Sequence, residues 1–571
     1  MTLFGPVNQP GRVDQHDAAP LAALPTDQLE EQVVFGEWRA LRGVSARSLE
    51  RTRALMQALE YDPETAAHRT IGVVGSKGKG TASAYASAAL AGLGHRVGTV
   101  MSPGVLSNAD RIRINGVVLP EQERRRLLLR IAQAQAQLPP ATAESGYLAP
   151  TGVFLLMGFL AAAQQDCEVL VAEAGIGGAS DDLSHWPLDA VVVTSIFAEH
   201  LDLLGPTVAD VARDKSEVIT GSTQLVVSCP QSAEVAEILA QRCAETGAQL
   251  VGAEDDAAGL VAHLPAGFQR ANAAAGVAAG VAVADGLVAD GSVTGGSRNM
   301  RSSARHAGPK PVSSSPTAHF LPAEHPLCAI CDDTDPAGTN RRTLMPTLAE
   351  VVRSVRYPGR LSVHAVPGGG VVPEGGAADG AVIPRGEVAG GVMPGGGVVL
   401  GGKTPGGAVP GVRCVVDSAV SGAGLRAALE FASQVMPQEA RNPSAGAGEA
   451  DTEAAELRQV LVCLPPGKDL AGFIAELQPF PGRKVFVELP GAYTGTPERS
   501  EWPQAPGWDW LRLDDLGTAG VHEAAGSPQL LEQLQQGDSL AVGTVLFSSL
   551  VLRTLGAEAE RLFDPPAWSP G

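Results

Sequence analysis

Short apolar runs alternate with amphipathic or Ala-rich stretches along this chain, the pattern of an α/β protein whose strands are buried on both faces. Thr70 to Val74 reads as a strand, the stretch from about Thr81 as an Ala-rich helix, and Arg96 to Met101 as a second strand, which together make a βαβ unit. Val169 to Ala172 and Ala190 to Ile196 read as further buried strands. Val153 to Ala163 and Ala271 to Ala284 are apolar stretches too short to span a bilayer and suit buried helices. A second alternation follows later. Strands are expected at Val412 to Val416, Gln459 to Leu464, Lys484 to Leu489 and Ser539 to Val542, with helices at Gly424 to Val435 and Leu470 to Leu477.

Between the first strand and helix stands Gly75-Ser76-Lys77-Gly78-Lys79-Gly80-Thr81. Glycines there let backbone N–H groups turn toward phosphate, and the following helix N-terminus adds the positive end of its dipole. Lys79 is placed to reach terminal phosphates and Thr81 to take Mg²⁺. The spacing departs from the usual phosphate loop, because Gly80 separates the lysine from the hydroxyl. The strand at Val169 delivers Glu173 into the glycine turn Ala174 to Gly178, and the strand at Ala190 delivers Glu199 and His200. Ligands of open α/β sheets gather at the carboxyl ends of strands, so these groups are expected to converge. Thr81, Ser102, Glu173 and His200 then read as a hard-metal site for Mg²⁺ and ATP.

Taken in order, several stretches resemble the signatures of folylpolyglutamate synthase and dihydrofolate synthase, members of the Mur ligase superfamily. They are Gly75 to Thr81, Ser102-Pro103, Arg111 to Gly116, Glu173 to Gly178, Glu199-His200 with Arg213-Asp214-Lys215, Gln269 to Ala274, and Tyr357 to Leu361. The resemblance implies a Mur-ligase-type ATPase domain of α/β fold with a phosphate loop, followed by a smaller α/β C-terminal domain. It implies a ligase that uses ATP to turn an acid into an acyl phosphate and joins it to an amino acid, most plainly glutamate added to a folate-type acid. By position, Gly75, Ser76, Lys77, Gly78, Lys79, Gly80, Thr81, Asn272, Arg360 and Asp417 would hold ATP. Thr81, Ser102, Glu173 and His200 would hold Mg²⁺. Lys79, Lys215, His200 and Arg360 would carry the chemistry, with Lys215 as a carbamate and Arg360 supplied from the second domain.

Departures stand beside these matches. Asp417-Ser418-Ala419-Val420-Ser421-Gly422 keeps the acid of the family's Asp-Gly-Ala-His-Asn-Pro run but lacks its His-Asn pair. Ala179 stands where the family has arginine, and Gly104-Val105 follows Ser102-Pro103 where the family has His-Leu. Two other readings therefore accompany the first: a ligase of the same fold acting on a non-folate acid, and a non-catalytic nucleotide-binding regulator.

The expected organisation is an ATP-binding domain over 21–287, an irregular Gly/Ser/Pro-rich insertion over 288–351, and a C-terminal domain over 352–571 carrying flexible insertions at about 367–410 and 437–456. The insertion holds His325, Cys328 and Cys331, with His319 upstream, which could form a zinc site if brought together. The chain of 571 residues carries 62 acidic and 42 basic side chains, a formal charge of −20 that argues against a nucleic-acid surface. Residues 1 to 30 lack the apolar core of a signal peptide, and seven scattered cysteines do not resemble a disulfide framework. The expectation is a cytoplasmic monomer that meets neither membrane nor nucleic acid, with a small-molecule acid and an amino acid as its partners.

Overall fold

A computed structural model describes residues 21–65, 68–252, 256–289, 341–367, 408–436, 457–489, 495–514 and 526–564. The His325, Cys328 and Cys331 cluster and the flexible insertions expected at about 367–410 and 437–456 lie essentially outside them. The chain divides into two compact units, Met1–Asp62 with Pro120–Val153, and Pro63–Leu119 with Phe154–Gly571. This division cuts through the stretch 21–287, which linear reading treats as one domain.

The first unit is helical. Helices Thr26–Leu41, Leu49–Ala58 and Glu121–Gln135 bury Leu29, Val33, Leu55, Met56, Leu128 and Ile131 against one another. Arg51 crosses this packing to donate to Glu37 and to the Pro139 carbonyl, so its buried charge is paired.

The second unit contains two sheets. The larger has eight strands: β1 (Arg69–Val74), β2 (Val97–Val100), β3 (Ile112–Ile114), β4 (Val117–Val118), β5 (Val169–Glu173), β6 (Ala190–Val193), β7 (Leu225–Ser228) and β8 (Gln249–Gly252). Their order is β4-β3-β2-β5-β1-β6-β7-β8, parallel except for β3 and β4. β1 lies between β5 and β6 in parallel register, with Val73 beside Glu173 and Val74 beside Val193. The loops after these three strands therefore leave the sheet side by side, at the switch point where open α/β sheets bind ligands.

Helices Lys79–Gly92 and Phe268–Ala289 pack on this sheet and on each other with small side chains at the contact. A Cβ on Gly276 would lie 2.2 Å from the Ala82 carbonyl oxygen, and one on Gly280 2.7 Å from that of Ala86. The Ala/Gly content of both segments is thus a requirement of close backbone approach. Helix Arg341–Arg353 lies against the same helix, where a Cβ on Gly92 would meet the Leu348 backbone at 2.8 Å. The end of the stretch expected to be irregular is therefore helical, because Leu348, Val351 and Val352 are buried.

The smaller sheet holds β9 (Arg360–Pro367), β10 (Ala408–Asp417), β11 (Gln459–Cys463), β12 (Arg483–Glu488), β13 (Trp508–Arg512) and β14 (Ser539–Gly543), in the order β13-β12-β11-β14-β10-β9. Only β9 runs antiparallel to its neighbour. Helices Gly422–Val435 and Leu470–Leu477 fall where the apolar periodicity puts them. After helix Val545–Thr554 the chain returns to the larger sheet. There the Val118 N–H donates to the Glu560 carbonyl and the Leu562 N–H to that of Gly116, while Phe563 is buried against Gly116. No described helix is long and apolar enough to cross a membrane.

Two buried histidines make stability pH-dependent. His68 packs beside Phe159, which stacks on Trp186, and among the described residues neither of its ring nitrogens has a hydrogen-bond partner. His364 shares a hydrogen bond of 2.7 Å with Ser362. Burial lowers both imidazoles from 6.5 to about 4. Because the folded value lies below the unfolded one, the stability from each neutral ring is complete above the unfolded value and is lost as pH falls toward the folded one, on the order of 3 kcal/mol apiece. Urea midpoints should fall over that window, and His68→Leu should show a shallower fall than the parent. A parent-like slope in that variant would contradict the assignment.

Candidate active site

The phosphate loop is shaped by what presses on it. Gly75 has φ 133° and a Cβ there would lie 2.0 Å from Thr194 Oγ1. Gly78 caps helix Lys79–Gly92 at φ 94°, where a Cβ would lie 2.3 Å from the Asn272 amide. A Cβ on Gly80 would meet Tyr357 Oη at 2.5 Å. Only glycine fits these positions, and the two with positive φ also use its left-handed freedom. Ser76 ties the loop to the segment after β6: its N–H donates to the Ser195 carbonyl, and its hydroxyl both accepts from Phe197 N (3.1 Å) and donates to Phe197 O (3.2 Å).

A cavity of about 470 Å³ opens over this loop. Ser76 to Thr81, Ser102, Glu173 and His200 line it from the larger sheet, and Arg360, Asp417, Val420 and Lys468 from the smaller one. Residues far apart in sequence therefore meet as the motif order leads one to expect. Lys215 and Asn272 sit behind the wall. Asn272 donates to the Phe268 carbonyl at 2.7 Å and packs under Gly78, so in this structure it supports the loop.

Charge is concentrated beneath the loop. Lys79 Nζ and Lys215 Nζ each donate to the Gly75 carbonyl at 3.0 Å. Lys215 is buried and also pairs with Glu199 at 2.9 Å. Burial and the neighbouring Lys79 lower the Lys215 ammonium below its usual range, against the pull of Glu199. Glu173 is buried, and burial raises its carboxyl above the ordinary range, opposed by Lys79, Arg360, the Ser102 amide and Arg111. Its Oε2 accepts the Ser102 N–H at 3.1 Å, while Arg111 donates to Ser102 Oγ at 3.1 Å. His200, at φ 47°, is held below its usual value mainly by burial.

These donors suit Mg²⁺. Among the described residues no cluster of three His, Cys, Asp or Glu side chains encloses a metal. Mg²⁺ needs no such cage, since it is commonly held by one or two carboxylates with substrate phosphates and water. One buried carboxylate with the Thr81 and Ser102 hydroxyls beside a phosphate loop fits that chemistry, and His200 is the softest of the four donors.

Several supporting groups carry only weak local signals. Asp110 accepts the backbone N–H groups of Val105, Leu106 and Ser107, and Asp214 those of Gly178 and Ser180, fixing the two loops beside the site. Phe268 and Phe197 line the cavity without a motif to mark them. Gly104 has a structural cause, because a Cβ there would lie 2.1 Å from the Ser107 carbonyl oxygen. Val420 does face the cavity.

No protein-family model matches the chain. It is 28% identical over 235 residues to the dihydrofolate synthase/folylpolyglutamate synthase of Escherichia coli, covering 38% of this chain and 54% of that protein. It is 29% identical over 182 residues to the Bacillus subtilis enzyme of the same name, covering 30% and 41%. The matched region thus spans about half the length, or less, of these curated relatives. The structure aligns with folylpolyglutamate synthase of Mycobacterium tuberculosis complexed with ADP and AMPPCP at TM-score 0.58, with 17% identity, over 93% of this chain and 99% of that one. With the apo form of L. casei FPGS the TM-score is 0.56 at 16% identity, over 94% and 100%. The fold is therefore that of folylpolyglutamate synthases, two α/β sheets with a phosphate loop on the larger. Part of the sequence is thus similar to proteins named folylpolyglutamate synthase and dihydrofolate synthase, and the fold is similar to that of folylpolyglutamate synthases.

The loop packing gives a direct test. Gly78→Ala forces a positive φ on alanine and drives a methyl group into Asn272. Mg-ADP affinity should fall at least about tenfold, the loss of roughly 1.4 kcal/mol or more expected when loop amides are misdirected. Calorimetric titration showing unchanged affinity would contradict the geometry.

Proposed function

We propose that this chain is an ATP-dependent, ADP-forming carboxylate–amine ligase that joins glutamate to a folate-type acid. The observation that carries the reading is the single cavity in which the phosphate loop, the strand-end carboxylate Glu173 and Arg360 of the second sheet face one another.

In the proposed reaction a carboxylate oxygen of the acid attacks the γ-phosphorus and ADP leaves. The amine then attacks the acyl carbon, phosphate leaves with the C–O bonding pair, and the nitrogen loses a proton to become an amide. Loop N–H groups and Lys79 would bind the β- and γ-phosphates, and Arg360 would meet the charge that develops on the transferring group. Thr81, Ser102 and Glu173, with His200 at the edge of the set, would hold Mg²⁺, which neutralises phosphate charge when bound. Lys215 and Glu199 would fix the loop from behind through the Gly75 carbonyl. Glu173 must be ionised to serve, and Lys79, Arg360 and Arg111 all favour that form against burial.

A non-folate acid is the second reading, and Val420 favours it. An apolar side chain in the cavity wall offers no hydrogen bond where the family's histidine would, so this wall departs from the family pattern while the phosphate loop keeps its residues. Both readings share the ligase chemistry.

Purified protein should release ADP only when ATP, Mg²⁺, an acid and an amino acid are present together. Dihydropteroate or a reduced folate with glutamate should stimulate it. Lys79→Ala should lower turnover by about a hundredfold or more, in the range seen when a group that stabilises developing charge is removed. Glu173→Gln should raise the Mg²⁺ concentration needed. ADP release independent of every acid tested would remove the ligase reading. Stimulation by other acids but not by folates would select the second.

A further inference from the structure

Lys77 is a second lysine of the phosphate loop, and its ammonium is already engaged. Nζ lies 2.8 Å from Asp417 Oδ2, donates to the Gly424 carbonyl at 3.4 Å and stands 5.9 Å from the centre of the Phe268 ring. Asp417 is the last residue of β10 and is only 1% exposed. Its other oxygen, Oδ1, accepts the N–H of Leu361 at 3.3 Å. Leu361 directly follows Arg360 and has φ 53°, a left-handed conformation that leucine keeps only where its surroundings hold it. The Asp417 carbonyl in turn accepts from Ser548 Oγ at 3.2 Å. One carboxylate thus joins the loop of the larger sheet to the backbone that aims Arg360.

We propose that the Lys77–Asp417 ion pair is a positioning device that clasps the smaller sheet onto the phosphate loop and so presents Arg360 to the phosphates, with Lys77 acting as the clasp and Lys79 as the phosphate-binding lysine. This rests on the site being the ATP site argued above. A carboxylate as buried as Asp417 keeps its charge at modest cost only with a partner, so loss of either member disturbs the other. Lys79 is placed differently. It bonds a carbonyl of its own loop, and among the described residues it has no ion pair that would hold it from turning to a phosphate.

The full-length protein tests this through Lys77→Met, Lys77→Arg, Asp417→Asn and the double variant Lys77→Met/Asp417→Asn. Removing the clasp should lower kcat by about 10- to 100-fold through misplacement of Arg360, while Mg-ADP Kd changes by less than about threefold. The double variant should be no worse than the more affected single one, because the two residues act as a unit. Lys77→Arg should recover most of the loss. Hydrogen exchange gives a readout independent of turnover: the Leu361 amide should exchange faster in Lys77→Met, although Lys77 itself does not touch that amide. If Lys77 is instead a phosphate ligand, Lys77→Met weakens Mg-ADP by tenfold or more while Asp417→Asn leaves binding unchanged or tighter, and the proposal falls. It also falls if the Leu361 amide is as protected in Lys77→Met as in the parent. Parent protein that releases no ADP with any acid would count against the ligase reading alone, since exchange and Mg-ADP binding still decide the role of the pair.

Discussion

Everything in this site depends on how closely other backbone and side chains approach the phosphate loop. Gly75 lies against Thr194, Gly78 against Asn272 and Gly80 against Tyr357, each within a distance that excludes even a methyl group. The three contacts come from the next strand end, from the long Ala-rich helix and from the segment that opens the smaller sheet. They leave the loop one shape, with its N–H groups gathered at a helix N-terminus, and bring Arg360 over it. The small residues at Gly276 and Gly280 serve the same end, since they let helix Phe268–Ala289 come near enough to put Asn272 under Gly78.

Electrostatics builds on that shape. Lys79 and Lys215 converge on the Gly75 carbonyl, and Glu199 and Asp417 balance Lys215 and Lys77. Glu173 is the buried carboxylate at the centre, its ionised form disfavoured by burial and favoured by three cations. Such a site is poised to accept a polyanion, because added phosphate charge meets cations already oriented by the protein and needs little reorganisation.

Much of this was legible in the sequence because strands β1, β5 and β6 are apolar runs, the first two of which lead into glycine turns. Their parallel register then brings Gly75, Glu173 and Thr194 to one edge. The strands β3 and β4 escape a reading by periodicity, since three and two residues carry no detectable period, and β8 because it is mostly exposed and forms no buried apolar run. β13 escapes for another reason: its Trp508-Asp509-Trp510 pattern is that of a half-exposed edge, distinct from the buried runs. The joining of 120–153 to the amino-terminal helices is a long-range event, invisible to local pattern. At the site, motif order placed Lys79, Thr81, Ser102, Glu173, His200, Arg360 and Asp417 around one cavity, yet it gave no hint that Lys77 and Asp417 pair or that Asn272 lies under the loop. Pairing of this kind is set by distances across 340 residues of chain.

The most direct test of the account is isotope transfer. With dihydropteroate labelled with oxygen-18 in its carboxylate, ATP, Mg²⁺ and glutamate, the phosphate released should carry a labelled oxygen from the acid, because that oxygen bridges carbon and phosphorus in the acyl phosphate. ADP release that ignores the acid, or phosphate whose new oxygen comes from water, would contradict it.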